Sequence, residues 1–174
     1  IEAQKGIAIA TNSTSSLDAS TYDVTLSGGN LGFDFSEIVM STTPTLAIGD
    51  NATITGGSVG ILQNISRKIG IVEDHVTISI ESLSFPFLTI SDTVTATLTI
   101  GDGCTISAIT GDLTIASNVN TQATLGFLGV NGLGFSLSVA KNEFTETVSN
   151  KVKLGKNVKL RAQNGTMTVH ANTK

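Results

Sequence analysis

Apolar and polar residues alternate in short runs along most of the chain. Thr53-Ile-Thr55 and Val76-Thr-Ile-Ser-Ile80 put an apolar side chain at every second position, the period of a half-buried strand. Gly, Asp and Asn clusters such as Gly49-Asp-Asn51 and Gly101-Asp-Gly103 separate the runs. These residues enter left-handed backbone cheaply and so mark turns. No stretch has a convincing helical period; residues 143–152 come nearest, and their Thr and Ser content weakens it. The pattern predicts an all-β chain.

The runs also repeat. Leu46-Ala-Ile-Gly-Asp-Asn-Ala-Thr-Ile-Thr55 matches Leu98-Thr-Ile-Gly-Asp-Gly-Cys-Thr-Ile-Ser107, then Val152-Lys-Leu-Gly-Lys-Asn-Val-Lys-Leu-Arg161. The steps are 98 − 46 = 52 and 152 − 98 = 54 residues. Leu31-Gly-Phe33, Leu83-Ser-Phe85 and Leu133-Gly-Phe135 recur at steps of 52 and 50. Ala3-Gln-Lys-Gly6 resembles Ala162-Gln-Asn-Gly165, and Gly111-Asp-Leu-Thr-Ile-Ala116 resembles Gly165-Thr-Met-Thr-Val-His170. A finer match aligns Glu73-Asp-His-Val-Thr-Ile-Ser79 with residues 49–55 and 101–107, and Tyr22-Asp-Val-Thr-Leu-Ser27 is a looser copy.

Fixed-period self-similarity is the mark of stacked supersecondary units. Read with the finer match, each superrepeat of about 52 residues holds two coils of roughly 26. Ala52, Val76, Cys104 and Val158 then share one inward slot, and Ile54, Ile78, Ile106 and Leu160 another. The expectation is a single domain, residues 1–174, forming a right-handed parallel β-helix (a β-solenoid) of about six to seven coils. Such a rod would be roughly 30 Å long at the strand spacing. Its open ends expose sheet edges, which need a neighbour, either more chain or another subunit.

Composition supports this picture. Only 14% of residues are charged and mean hydropathy is +0.24, too apolar for a disordered chain. No apolar run is long enough for a membrane-spanning helix. The chain begins at Ile1, as a processed product or a segment of something longer would, and no signal peptide is visible. Charge is uneven. Residues 1–140 hold three basic and twelve acidic residues (−9), and residues 141–174 hold seven basic and two acidic (+5). The cations Lys151, Lys153, Lys156, Lys159 and Arg161 form a candidate axial interface for a head-to-tail neighbour.

Chemistry-bearing residues are few. Cys104 occupies a slot otherwise held by Ala or Val, so it reads as a small buried hydrophobe. His75 and His170 have no metal-ligand spacing; His75 aligns with the turn residues Asn51, Gly103 and Asn157. Asp50, Asp74, Asp102 and Asp112 recur at turns, but Lys156 replaces the acid in the last copy, which argues against a calcium ladder. Sugar-cleaving sites need clustered carboxylates with aromatic or basic groups, and here the acids are scattered and Trp is absent. No catalytic residue, metal ligand or cofactor site is expected, and no nucleic-acid motif accompanies the basic end. Asn12, Asn51, Asn64 and Asn164 each begin a glycosylation sequon. The apolar stretch Leu125 to Ala140 reads as a buried wall, or else as a contact surface.

Gly132-Leu-Gly-Phe-Ser-Leu-Ser-Val-Ala-Lys-Asn142, followed by residues 152–174, resembles a recurring unit of very large secreted bacterial proteins. These are the filamentous-haemagglutinin-like and leukotoxin-like adhesins. Ser138-Val-Ala-Lys-Asn142 and Ala108-Ile-Thr-Gly-Asp-Leu-Thr-Ile-Ala116 stand at their motif positions, with Lys141 where those units carry an apolar residue. The likeness covers residues 30–174. It implies β-helix architecture, export to the cell surface or beyond, and a stalk, filament or adhesin role with a host or matrix ligand, and it transfers no catalytic residue. The alternative is a Thr-rich module binding ice or glycan, suggested by Thr93-Val-Thr-Ala-Thr-Leu-Thr99. Lys159 and Arg161 interrupt the Thr positions of the last copy.

Overall fold

The computed structural model describes the backbone of residues 1–27, 30–79, 81–132, 135–138 and 141–174, and their side chains except 19–34, 73–86, 127–140 and 142. Every regular element among these residues is a strand. They are β1 (Ile7–Ser27), β2 (Asn30–Thr42), β3 (Thr45–Ile48), β4 (Thr53–Gly56), β5 (Val59–Ser79), β6 (Glu81–Ile100), β7 (Thr105–Ala108), β8 (Leu113–Gly132), β9 (Phe135–Ser138), β10 (Lys141–Leu154), β11 (Lys159–Ala162) and β12 (Met167–Thr173). Residues 143–152, the nearest approach to a helical pattern, lie within strand β10.

All described pairings are parallel, and the strands form three sheets. The first long sheet runs β1-β5-β8-β12. The second long sheet runs β2-β6-β10, with β3 and β9 also paired to β6. A short corner sheet runs β4-β7-β11 and is extended by a bridge from Glu2 to Thr55. The partner offset is 52 from β1 to β5 (Ile7 to Val59) and 54 from β5 to β8 (Val59 to Leu113). The second long sheet and the corner sheet repeat these two offsets, for instance Leu46 to Leu98 to Val152 and Thr53 to Thr105 to Lys159.

The superrepeat is therefore the stacking period, and the half-length coil is not. No described strand pairs at an offset near 26. Cys104 stacks between Ala52 and Val158, as expected, through backbone bonds from Thr105 N to Ala52 O and from Lys159 N to Cys104 O. Val76 instead pairs with Val24 and Val130, Ile78 with Leu26 and Gly132, and His75 with Asp23 and Gly129. Residues 73–79 resemble the turn segments because any alternating strand preceded by an acid does, and pairing partners decide the period. The aromatic step of 50 is corrected likewise: Leu83 pairs with Leu31 and Leu137, and Phe135 lies beside Glu81. Ala162 and Met167 do take the slots of Ala108 and Leu113.

The two long sheets face each other across the core. At the corner, Ile54, Val59, Ile61, Leu98, Ile100, Cys104 and Ile106 bury together. Further out, Ile65 and Val119 of one sheet meet Val94 and Ala96 of the other. Further still, Ile69 and Ile71 meet Leu88 and Ile90. The chain thus runs out along one sheet and back along the other. A strand of 21 residues spans about 70 Å, while four stacked strands rise only about 14 Å. The piece is a slab, wider than it is tall, rather than the expected rod.

Candidate axial interface

Turn chemistry holds the corner in register. Asn51, Gly103 and Asn157 occupy the same turn position with φ of 57°, 67° and 56°. Asn and Gly are the residues that adopt this left-handed region most readily. One residue earlier, Asp50 Oδ1 accepts a hydrogen bond from Asp102 N at 2.8 Å, and Asp102 Oδ1 accepts from Lys156 N at 2.7 Å. Asp112 Oδ1 accepts from Thr166 N at 2.8 Å. Each carboxylate caps the amide of the equivalent residue in the next pass, so Asp50, Asp102 and Asp112 are turn residues as expected. Asp74 lies within β5, paired with Tyr22 and Leu128, and is not a turn residue. Gly101 is obligatory at this corner: a Cβ there would lie 2.4 Å from Asp50 Oδ1 and 2.8 Å from the Gly49 carbonyl carbon.

Lys151, Lys153, Lys156, Lys159 and Arg161 all fall in the third pass and all are exposed. Their slots in the second pass hold Thr97, Thr99, Asp102, Thr105 and Ser107. The structure gathers all five around the corner at one end of the stack, as a band on the outer surface. The same end leaves interior slots partly open. Met167 is 52% and Leu154 46% exposed, although Leu113 and Ile100, one pass earlier in the same slots, are fully buried. The opposite end presents β1, β2 and β3, with Ile7, Ile9 and Ile48 half-buried. Of its acids with described side chains, Glu2, Asp18, Glu37 and Asp50 are exposed.

Two charged residues escape sequence reasoning. Arg67 and Asp92 point inward from facing sheets, with side chains 6% and 0% exposed and Arg67 Nη2 standing 2.9 Å from Asp92 Oδ1. Arg67 Nη1 also donates to Thr42 Oγ1, and Nη2 reaches Met40 Sδ at 3.9 Å. Among the described residues, Arg67 Nε and both Asp92 oxygens lack a well-aligned hydrogen bond. Burial pushes the Asp92 carboxyl above its ordinary range; the Arg67 cation opposes this rise and Glu146, paired beside Asp92 in β10, adds to it. The legible signal was parity: Arg67 sits midway between Ile65 and Ile69, and Asp92 between Ile90 and Val94, all on the inward phase. Nearer the corner, Ser117 Oγ donates to Gln63 Oε1 at 2.9 Å and Asn150 Nδ2 to Ser117 O at 2.9 Å.

The remaining candidates have simple surroundings. Cys104 is fully buried, its thiol 3.1 Å from Gly49 O. Asn12, Asn64 and Asn118 form an amide ladder on the outer face of the first long sheet, each step 3.0 Å. Asn64 and Asn164 thus have occupied side-chain amides, the latter donating to Ile109 O at 2.9 Å. The His75 side chain and most of the Leu125–Ala140 stretch lie outside the described side chains. Among the described residues, no three of His, Cys, Asp and Glu come together to hold a metal ion, and no helix is long and apolar enough to cross a membrane. No family model, curated protein or solved structure matches the chain.

Proposed function

We propose that the chain is a right-handed β-solenoid segment, a non-enzymatic building block of an extracellular filament, surface stalk or adhesin, lengthened by rungs stacked end to end on its edges. One observation carries the reading: three sheets keep the same parallel register, 52 then 54, and leave unpaired strand edges at both ends. Parallel strands joined by crossovers wind right-handed almost without exception. With a rung of 52–54 residues the chain makes three turns and part of a fourth, in place of six or seven.

Unpaired parallel edges over half-open apolar slots are templates for another rung. Charge supports stacking at the corner, where the basic band lies at one end and Glu2 and Asp50 lie at the other, Lys156 and Asp50 sharing one slot of the register. A neighbour at the basic end would come from flanking coils of a longer chain or from a second copy. A contact between unlike ends propagates as an open filament instead of closing. The cell-surface and adhesive parts of the proposal rest on the resemblance of residues 30–174 to the large secreted adhesins.

Electron microscopy and sedimentation of the purified chain at low and high salt test the stacking. Filaments or end-to-end oligomers that shorten as salt rises are expected, and Lys151→Glu with Lys159→Glu should reproduce the effect of salt. Monodisperse single chains at every concentration and ionic strength would refute stacking between copies.

A further inference from the structure

The outer faces of the two long sheets differ. On the first, outward slots mix Ala10 with Leu62, Ser16 with Lys68 and Asp18 with Gly70, alongside the Asn ladder. On the second, every outward position of the middle strand from Thr89 to Thr99 bears a hydroxyl, Ser91 being the single serine. The inward partners Ile90, Asp92, Val94, Ala96, Leu98 and Ile100 are buried, which fixes the opposite phase as outward. The hydroxyls continue across strands in register. Thr93 pairs with Ser41 on one side and Thr147 on the other, Ser91 with Thr145, Thr95 with Ser149, and Thr97 with Thr45, while the exposed Val39 and Ala47 stand beside Ser91 and Thr99. Charged residues flank this centre: Glu37 and Glu143 stand beside Thr89, and Lys151 and Lys153 beside Thr97 and Thr99.

We propose that this hydroxyl-paved face of the second long sheet binds the surface of ice. The pleat sets the array: hydroxyls recur at about 6.7 Å along β6 over about 33 Å, and at about 4.8 Å from strand to strand around Thr93, where all three strands carry one. Ice presents water oxygens in rows on the same few-ångström scale, in two dimensions. A rigid parallel sheet holds its side chains on such a grid without ordering them at the moment of contact, which lowers the entropy cost of binding. β-branched Thr adds to this, because its χ1 is stiff and its methyl shields the hydroxyl-bound waters. Carboxylates or ammonium groups in the middle of the patch would orient water around themselves, and the centre has none. The inference stands apart from end-to-end stacking, since it uses the side of the slab and not its edges.

The experiment is ice-crystal growth and recrystallisation in solutions of the full chain, with the melting–freezing gap read by nanolitre osmometry. Faceted crystals and a measurable gap are expected. Thr95→Tyr, at an exposed central position, should abolish both while leaving the circular dichroism spectrum and urea midpoint unchanged. Ser16→Tyr on the opposite face should keep them. No gap in the unmodified chain, or a gap that Thr95→Tyr leaves intact, overturns the proposal. Retention on insoluble chitin or cellulose that Thr95→Tyr removes, with no effect on ice, overturns it in favour of a glycan.

Discussion

Removing the Arg67 guanidinium tests how the two long sheets are held face to face. In Arg67→Met the Asp92 carboxylate stays buried between Ile90 and Val94 with its countercharge gone. Breaking a buried pair from one side costs about 3–5 kcal/mol, most of it the penalty of the stranded charge. Asp92→Leu strands Arg67 instead, and costs somewhat less because Thr42 and Met40 still contact the guanidinium. The double variant removes both charges and the poorly satisfied atoms with them. Well-packed apolar replacements of buried pairs are neutral or stabilising by about 1–4 kcal/mol. The double variant should therefore be far more stable than either single one. Urea unfolding followed by far-UV circular dichroism suits a chain without Trp. If the losses of the two single variants simply add in the double, the ion pair is not coupled and the reasoning fails.

Further outcomes follow at three residues, Asp92, Cys104 and Gly103. The Asp92 carboxyl is raised above its ordinary value of 3.8 in the fold, so the folded state binds more protons than the unfolded one. Stability should fall as pH rises from 3.8 to the raised value and level off beyond it, and Asp92→Asn should flatten that slope in a pH series of urea midpoints. Cys104→Val should change stability by less than about 1.5 kcal/mol, since Val158 already fills the same slot. The native thiol, fully buried, should resist an aromatic disulfide reagent until urea unfolds the chain. Gly103→Ala should lower stability by about 1–2 kcal/mol, because φ of 67° is strained for alanine, while the exposed Asn51 amide near the new Cβ can swing aside.

Much of this fold was legible because stacking forces equivalent residues into equivalent slots. Leu46, Leu98 and Val152 announced a period near 53, and they pair. The half-period failed for a physical reason. Residues 73–79 share strand alternation and an acid with the turn segments, but Asp74 sits mid-strand while Asp50 and Asp102 cap the amides of the next pass. Local chemistry cannot tell a turn Asp from a strand Asp when the following residues alternate alike. The basic band was visible as a cluster in sequence, whereas its placement around one corner needed the register. Arg67 and Asp92 stayed hidden because a charged residue on an inward phase looks like an ordinary surface charge until its neighbours are known to be buried.

The stacking offset also sets how the protein would answer to force. Since each pass contacts only its neighbours, tension applied at one end of the stack would peel it off pass by pass, opening hydrogen bonds one after another. Every pass released would lengthen the chain by about 180 Å at the extended reach of some 53 residues. A slab only a few strands tall could thus spool out more than its own width at each yielding event, a shock absorber for anything tethered through it.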